Sequence, residues 1–196
     1  PGTNGQVWFL NEIDGNLFCG HNSGTFLVQG ATATKISERL GTWIVKKYKE
    51  DIYIQGHYNG ISFLRKQDSG FEDLPMLNNF PHSSKSIVVA KDLSIWIGNE
   101  HKGVFNLQLN DTLSSASKTS NYKFDEESGI TSGVFQFNDS LYYSSLTNIY
   151  KFDQVENRFD PDNSLNLLVS DVERVSGRMI VEEDDVLWGF SEEGIF

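Results

Sequence analysis

Three histidines stand in short polar stretches of the same kind: His21 in "GHNSG", His57 in "GHYNG" and His101 in "NEHKG". Beside them lie Asn22, Tyr58, Asn59 and Glu100. Each stretch therefore sets a titratable ring next to amide, phenol or carboxylate groups, and such a set can hold a polar ligand. A metal centre fits less well. Its ligands must converge within about 2 Å of one ion, and equivalent loops of separate repeats stand too far apart for that. The candidate ligand-binding residues are His21, Asn22, His57, Tyr58, Asn59, Glu100 and His101, with no metal ligand and no catalytic residue among the candidates. The plainer account is that these residues only tolerate a tight, wet turn.

Carboxylates recur as well: Asp14, Glu50 with Asp51, Asp92, Asp139, and Asp184 with Asp185. Glycoside hydrolysis needs two carboxylates facing each other across the scissile bond. These acids instead fall at one point of every repeat, at the end of a strand, where short polar side chains stabilise turns through bonds to the backbone. A catalytic pair would break the repeat rather than follow it. No nucleophile-elbow serine, HExxH, paired-cysteine zinc pattern, Walker loop or dinucleotide fingerprint occurs. No cofactor is expected.

The elements that carry these residues are strands. Apolar runs begin at residues 17, 52, 95, 141 and 187, with spacings of 35, 43, 46 and 46. Each is preceded by another apolar run and an acid-rich turn: "VWFLNE" at Val7, "TWIVKKY" at Thr42, "SIVVAK" at Ser86, "GVFQF" at Gly133 and "RMIVE" at Arg178. Each is followed by a loop, then Gly24, Gly60, Gly103, Asn148 or Gly194, and a third apolar run. Glycine and asparagine are the residues that most easily take a positive φ, as a tight turn here requires. "FEDL", "NYKF" and "NRF" read as fourth strands. No stretch has a helical period, and residues 109–121 read as a polar loop. Runs such as "IWI" and "IVV" are apolar on both faces, unlike a sheet with one wet face.

A four-stranded repeat of about 40–50 residues, packed on both sides by its neighbours, predicts an all-β fold of antiparallel β-propeller blades. A β-sandwich is the alternative; it would not need the same turn chemistry at each return. The predicted blades are 1–41, 42–85, 86–131 and 132–172, with a partial blade at 175–196, forming one propeller segment. An ending inside a third strand leaves apolar edges unpaired. About 4.5 blades of a larger, seven-bladed propeller are expected. The opening "PGTNGQVWF" lacks a methionine, so an upstream segment is expected too.

Composition sets outer bounds. Of 196 residues, 38% are hydrophobic and 13% aromatic, which suits a folded core. The net charge of −11 repels phosphate backbones, so direct nucleic-acid binding by this segment is not expected. No apolar run reaches the roughly 18 residues of a membrane-spanning helix. Cys19 is the single cysteine; it allows no internal disulfide and reads as a small buried hydrophobe. Trp8 and Trp43 in first strands, and Trp96 and Trp188 in second strands, read as packing between blades. Lys46, Lys47 and Lys49 read as a solvated strand edge.

The stretch "DLSIWIGNEHKGVFNL" resembles the two-component-regulator propeller repeat, whose pattern is Leu-Trp-Ile-Gly, a short loop with Gly, and an apolar strand. "GTWIVKKYKEDIYIQGHYNGISFL" and "KGVFNLQLND" are similar to the propeller part of Bacteroidetes hybrid two-component and triple-tyrosine helix-turn-helix regulators. The fourth repeat departs most, with "YYSS" for "WIG" and Asn148 for Gly. The resemblance implies a periplasmic sensor module that recognises a carbohydrate or other small molecule. It implies attachment to the membrane only through segments outside this one, dimerisation through the receptor, and a kinase or DNA-binding output beyond Phe196. The resulting expectation is a non-catalytic sensing or interaction module. A glycan-hydrolysing propeller fragment and a purely scaffolding propeller are the alternatives.

Overall fold

The computed structural model describes residues 4–124, 132–170, 179–182, 186–191 and 194–195. The chain is an all-β propeller structure. Its first sheet comprises β1 (Val7–Ile13), β2 (Asn16–His21), β3 (Gly24–Gln29) and β4 (Thr32–Ser37); its second, β5 (Ile44–Lys49), β6 (Ile52–His57), β7 (Gly60–Gln67) and β8 (Gly70–Asp73). The third comprises β9 (Ser86–Val89), β10 (Ile95–Asn99), β11 (Gly103–Leu109) and β12 (Ala116–Tyr122); the fourth, β13 (Gly133–Phe137), β14 (Ser140–Ser144), β15 (Ile149–Asp153) and β16 (Arg158–Pro161). In all four, each strand pairs with its neighbours in sequence. A helix, α1 (Asn163–Leu168), and two short strand pairs follow: β17 (Ile180–Glu182) with β18 (Val186–Trp188), and β19 (Phe190–Ser191) with β20 (Gly194–Ile195). Arg178, Asp184 and Asp185 lie outside the described residues.

The chain divides into two compact units. The first is Pro1–Lys85 with Val89–Ser94 and Leu107–Lys118; the second is Ser86–Val88, Ile95–Asn106 and Thr119–Phe196. In the first unit, Phe18, Val45, Tyr53 and Leu64 form a buried cluster, flanked by Phe9, Ile13, Leu27, Ile36 and Phe71. Every residue of β6 is buried, as expected for a strand covered on both faces. In the second unit, Phe135, Tyr142, Ile149 and Val169 form a core with Phe137, Leu165, Met179 and Leu187. Trp96 is buried there against Phe152, at 4.6 Å between centroids, and Phe159, at 6.1 Å, which is the packing role expected of it. Cys19 is buried, also as expected.

The turns explain the recurrent acids. The pairs Ile13↔Asn16 and Phe137↔Ser140 leave two-residue loops. Asp14 (φ 52°) and Gly15 (φ 73°) fill the first, and Asn138 (φ 45°) and Asp139 (φ 56°) the second. Left-handed backbone at both loop positions is the tight-hairpin geometry that Asp, Asn and Gly tolerate. Asp92 acts differently: its Oδ1 accepts from the Ser94 backbone N at 3.0 Å and from Ser94 Oγ at 2.7 Å. The recurrent glycines meet two demands at once. Gly24 has φ +145°, and a Cβ there would stand 2.3 Å from the Ser37 carbonyl oxygen; Gly103 has φ +81°, and a Cβ would stand 2.2 Å from that of Tyr122. Asn148 does not share the positive φ. A longer loop replaces the glycine turn, with Ser145 Oγ accepting from the Asn148 backbone N at 3.0 Å.

Three features differ from the sequence reading. Part of the expected polar loop at 109–121 is strand β12. As an end strand of its sheet, with a mostly exposed side-chain pattern, it carries no apolar alternation to be read. The helix α1 has a local cause: Asp162 Oδ1 accepts from the Leu165 backbone N at 2.9 Å, an N-cap, while Leu165 and Val169 turn into the core. Lys47 is more than a solvated edge. Its ammonium pairs with the Asp14 carboxylate and lies 4.4 Å from the Tyr53 ring centroid. Tyr53 OH also donates to Asp14, at 2.7 Å, which ties the β1–β2 turn to the second sheet.

Two outcomes follow from this packing. Phe18 is fully buried, with Tyr53 at 5.4 Å and Phe71 at 5.2 Å between ring centroids. Phe18→Ala should cost about 3–5 kcal/mol in urea unfolding. The hydrogen bonds from Lys47 and then Tyr53 hold the Asp14 carboxyl below its usual range. Its contribution is present above the unfolded-state pKa and is lost as pH falls through the lowered folded value. Below about pH 4 the wild type should therefore lose stability more steeply than Asp14→Asn, as read by urea midpoints across an acid series.

Candidate functional site

The first unit carries a closed ring of buried polar side chains. Thr25 lies on β3, Thr42 just before β5, Gln55 and His57 on β6, and Ser62 on β7; all five are fully buried. Gln55 and His57 are two residues apart, so strand alternation puts both on one face. Ser62 is the cross-strand partner of Gln55 on that same face. Thr25 Oγ1 donates to Gln55 Oε1 at 2.5 Å, and Gln55 Nε2 donates to Ser62 Oγ at 3.0 Å. Ser62 has one proton, and His57 Nε2 lies 2.8 Å away to accept it. That leaves the imidazole proton on Nδ1, 3.2 Å from Thr42 Oγ1, and the Thr42 proton for Thr25 Oγ1 at 2.9 Å. Each member of the ring donates once and accepts once.

This ring requires a neutral His57. An imidazolium would hold protons on both nitrogens, and the Ser62 proton would lose its acceptor. Burial, and secondarily the positive charge of Arg39, push the His57 pKa down to about 3.

His21 ends β2 as His57 ends β6, and it too is fully buried. Its Nδ1 accepts from the Ser23 backbone N at 3.0 Å and lies 2.8 Å from Ser23 Oγ. A backbone N–H can only donate, so the ring proton sits on Nε2, which is buried with no acceptor in reach among the described residues. These two histidines are thus the last residues of buried strands, not members of wet loops. The wet positions are the two-residue turns beyond them. Asn22 and Ser23 are half-buried, and Tyr58 and Asn59 are exposed. Asn22 and Tyr58 meet through Gly41, whose N–H donates to the Asn22 carbonyl at 3.0 Å. A Cβ on Gly41 would stand 2.2 Å from the Tyr58 ring, so that ring lies directly on glycine backbone.

An aromatic cluster grows from the same turn. Trp8 and Trp43 stand 4.6 Å apart between ring centroids, and Trp43 and Tyr58 stand 5.1 Å apart. Trp8 Nε1 donates to Tyr58 OH at 3.1 Å. The Lys85 ammonium lies 4.8 Å over the Trp43 ring. The Trp8–Trp43 contact joins the first repeat to the second, the packing expected of both, and each ring stays partly exposed beside an exposed phenol.

In the second unit, Asn99 rather than His101 takes the strand-end position of β10. Asn99 is 5% exposed, and its Oδ1 accepts from the backbone N of His101 and of Lys102, each at 3.1 Å. Three residues separate Asn99 from Gly103, where two separate each strand-end histidine from its glycine. His101 therefore lies in the turn itself and is exposed, with Glu100 half-buried beside it. Sequence reading aligned the histidines by type and missed this one-residue shift. It also missed Thr25, Thr42, Gln55 and Ser62, whose signal was a set of uncharged polar residues at alternate positions of apolar strands.

No family model and no curated protein matches the chain. Among solved structures, the extracellular domain of a hybrid two-component system of B. thetaiotaomicron superposes with a TM-score of 0.71 at 14% identity, over 95% of this chain and 25% of that one. A second such domain from the same organism gives 0.60 at 18% identity, over 97% of this chain and 26% of that one. Virginiamycin B lyase of Staphylococcus aureus gives 0.66 at 14% identity, over 99% of this chain and 66% of that one. The chain thus spans about a quarter of the two-component ectodomains it matches. What it shares with these proteins is the fold.

The buried histidine makes stability depend on pH. His57 titrates near 6.5 when unfolded and near 3 when folded. Protons then favour the unfolded chain over that window, so stability is full above pH 6.5 and falls as pH drops toward 3. The slope should approach about 1.4 kcal/mol per pH unit. Urea unfolding at pH 7, 6, 5 and 4 should show this slope in the wild type, and His57→Gln should flatten it.

Proposed function

We propose that this chain is part of an extracytoplasmic sensor propeller of a two-component or one-component regulator, a ligand-recognition module that is not itself catalytic. One observation carries the reading: nearly the whole chain superposes on the extracellular domains of two-component systems. It is supported by the repeat "DLSIWIGNEHKGVFNL", which resembles the regulator-propeller pattern. It is also supported by how the acids are used. Asp14 is committed to Lys47 and Tyr53, Asp92 to Ser94, and Asp153 to the backbone of Val155 and Glu156. A carboxylate spent on a turn is a poor acid or base for a glycosidic bond.

In this reading the module acts by population shift. A ligand that favours one arrangement of the ectodomain biases the attached output by the difference in its affinity for the two arrangements. The turns that follow the second strands carry the residues proposed from sequence, Asn22, Tyr58 and Asn59 in the first unit and, taken separately, Glu100 and His101 in the second; a ligand would dock on the turns of one unit. His21 and His57 would hold those turns from beneath.

The test is thermal melting of the intact protein against a panel of oligosaccharides, run alongside chromogenic glycosides. A ligand at a hundredfold excess over its Kd should add about 2.7 kcal/mol of stability, a shift of several degrees. Turnover of a glycoside that a single carboxylate substitution abolishes would make the module an enzyme. No shift with any ligand would make it a scaffold.

A further inference from the structure

The turns that follow the second strands share one backbone demand. Gly24, Gly60 and Gly103 begin the third strands of their sheets, each with a positive φ. At Gly60 the φ is +146°, and a Cβ would stand 2.7 Å from Met76 Cε and 2.9 Å from the Phe80 carbonyl oxygen. The fold therefore fixes glycine at this point. The residue before the glycine varies: it is Ser23, Asn59 or Lys102. Of the three, only Asn59 sets a carboxamide beside the glycine nitrogen.

That juxtaposition has chemistry of its own. Attack of the Gly60 nitrogen on Asn59 Cγ closes a five-membered imide. A side chain on the following residue would hinder the approach, and glycine has none. Asn59 is exposed, and no hydrogen bond among the described residues engages its amide. Other asparagines spend theirs: Nδ2 of Asn16 donates to the Asp14 carbonyl, that of Asn110 to Ser114 Oγ, and that of Asn166 to the Ile149 carbonyl. The turn also lies at the end of the β6–β7 ladder, closed by the pair His57↔Gly60. Such ends open locally at less cost than a core.

We propose that Asn59–Gly60 is a site of spontaneous deamidation in the folded protein, with water as the only co-reactant. The Gly60 nitrogen loses its proton to hydroxide and bonds to Asn59 Cγ. The Cγ–Nδ2 bond breaks, and the departing nitrogen takes a proton from water and leaves as ammonia. Water then opens the imide at one carbonyl or the other, giving aspartate or isoaspartate. Nothing is oxidised or reduced. Either product adds a negative charge beside Tyr58, and isoaspartate also adds a methylene to the main chain of a two-residue turn. The inference is independent of the sensor reading.

The test holds the intact, folded protein at pH 6, 7 and 8, well below its melting temperature. Peptide mapping with isoaspartyl methyltransferase labelling reads the products, and hydroxylamine traps the imide by cutting the chain between Asn59 and Gly60. The peptide carrying Asn59 should convert at least about tenfold faster than the one carrying Asn22, which precedes Ser23. The rate should rise with pH, and isoaspartate should be among the products. Mapping separates this site from Asn4–Gly5, the other such pair in the chain. Asn59→Gln should abolish both the conversion and the hydroxylamine cut at this bond; if that variant fails to fold, Asn59→Ser, which copies the first turn, serves in its place. Conversion no faster than at Asn22, aspartate without isoaspartate, or conversion only in urea-unfolded protein would each overturn the proposal.

Discussion

A strand buried on both faces has no water to satisfy its polar side chains. That constraint governs the first unit. Every residue of β6 is buried, and two of them, Gln55 and His57, are polar. Hydrophobic cover alone would leave both at a cost of a few kcal/mol. The solution is the closed ring through Thr25, Thr42 and Ser62, which satisfies each group from within. Its members come from the first sheet, the second sheet and the segment between them. The same bonds that satisfy the strand thus hold two neighbouring repeats in one register. Apolar packing of Phe18 on Tyr53 and Phe71 supplies the attraction, and the ring supplies the alignment.

The strand-end position shows how a repeat protein can hold a scaffold and vary a surface. His21, His57, Asn99 and Ser144 all end second strands and are all buried. They differ in chemistry, yet His21 and Asn99 do the same work of accepting from the turn that follows. In the fourth sheet the next residue, Ser145, takes over that task. With the turn held from beneath, its outward residues are free to change from repeat to repeat. Asn22, Tyr58 with Asn59, and Glu100 with His101 are such residues, and this is where loops on rigid frames usually carry recognition.

The acids and the aromatics show how far a residue type can be read without its neighbours. Seven recurrent carboxylates read as turn residues, and among the described ones the structure bears this out: by left-handed backbone at Asp14 and Asp139, by capping at Asp92. The tryptophans looked like packing. Trp96 is packing, buried among Tyr122, Phe152 and Phe159. Trp8 and Trp43 pack too, first repeat on second, and with Tyr58 they keep partly exposed rings at the surface of their unit. Neither carboxylate nor indole has a role by type; its neighbours decide.

Strand number, strand order and turn chemistry were legible in the sequence, because each is a local property repeated along the chain. Apolar runs at a spacing near 45 residues, an acid before each and a glycine after most, leave few folds besides propeller blades. Local signals fail where the deciding contact is distant. Strand β12 lies at the end of its sheet with most side chains in water, so its residues carry no pattern. The one-residue shift at Asn99 shows in the count back from Gly103, but only the strand ends say which residue it moves into the buried position. The ring of Thr25, Thr42, Gln55, His57 and Ser62 spans residues 25 to 62, and no spacing rule links a threonine on one sheet to a glutamine on the next. Tertiary structure also decided that His21 and His57 are buried supports, since burial depends on what the neighbouring repeat lays over a strand's end. A sequence states which side chains can donate and accept; only the fold determines which of them have already found each other.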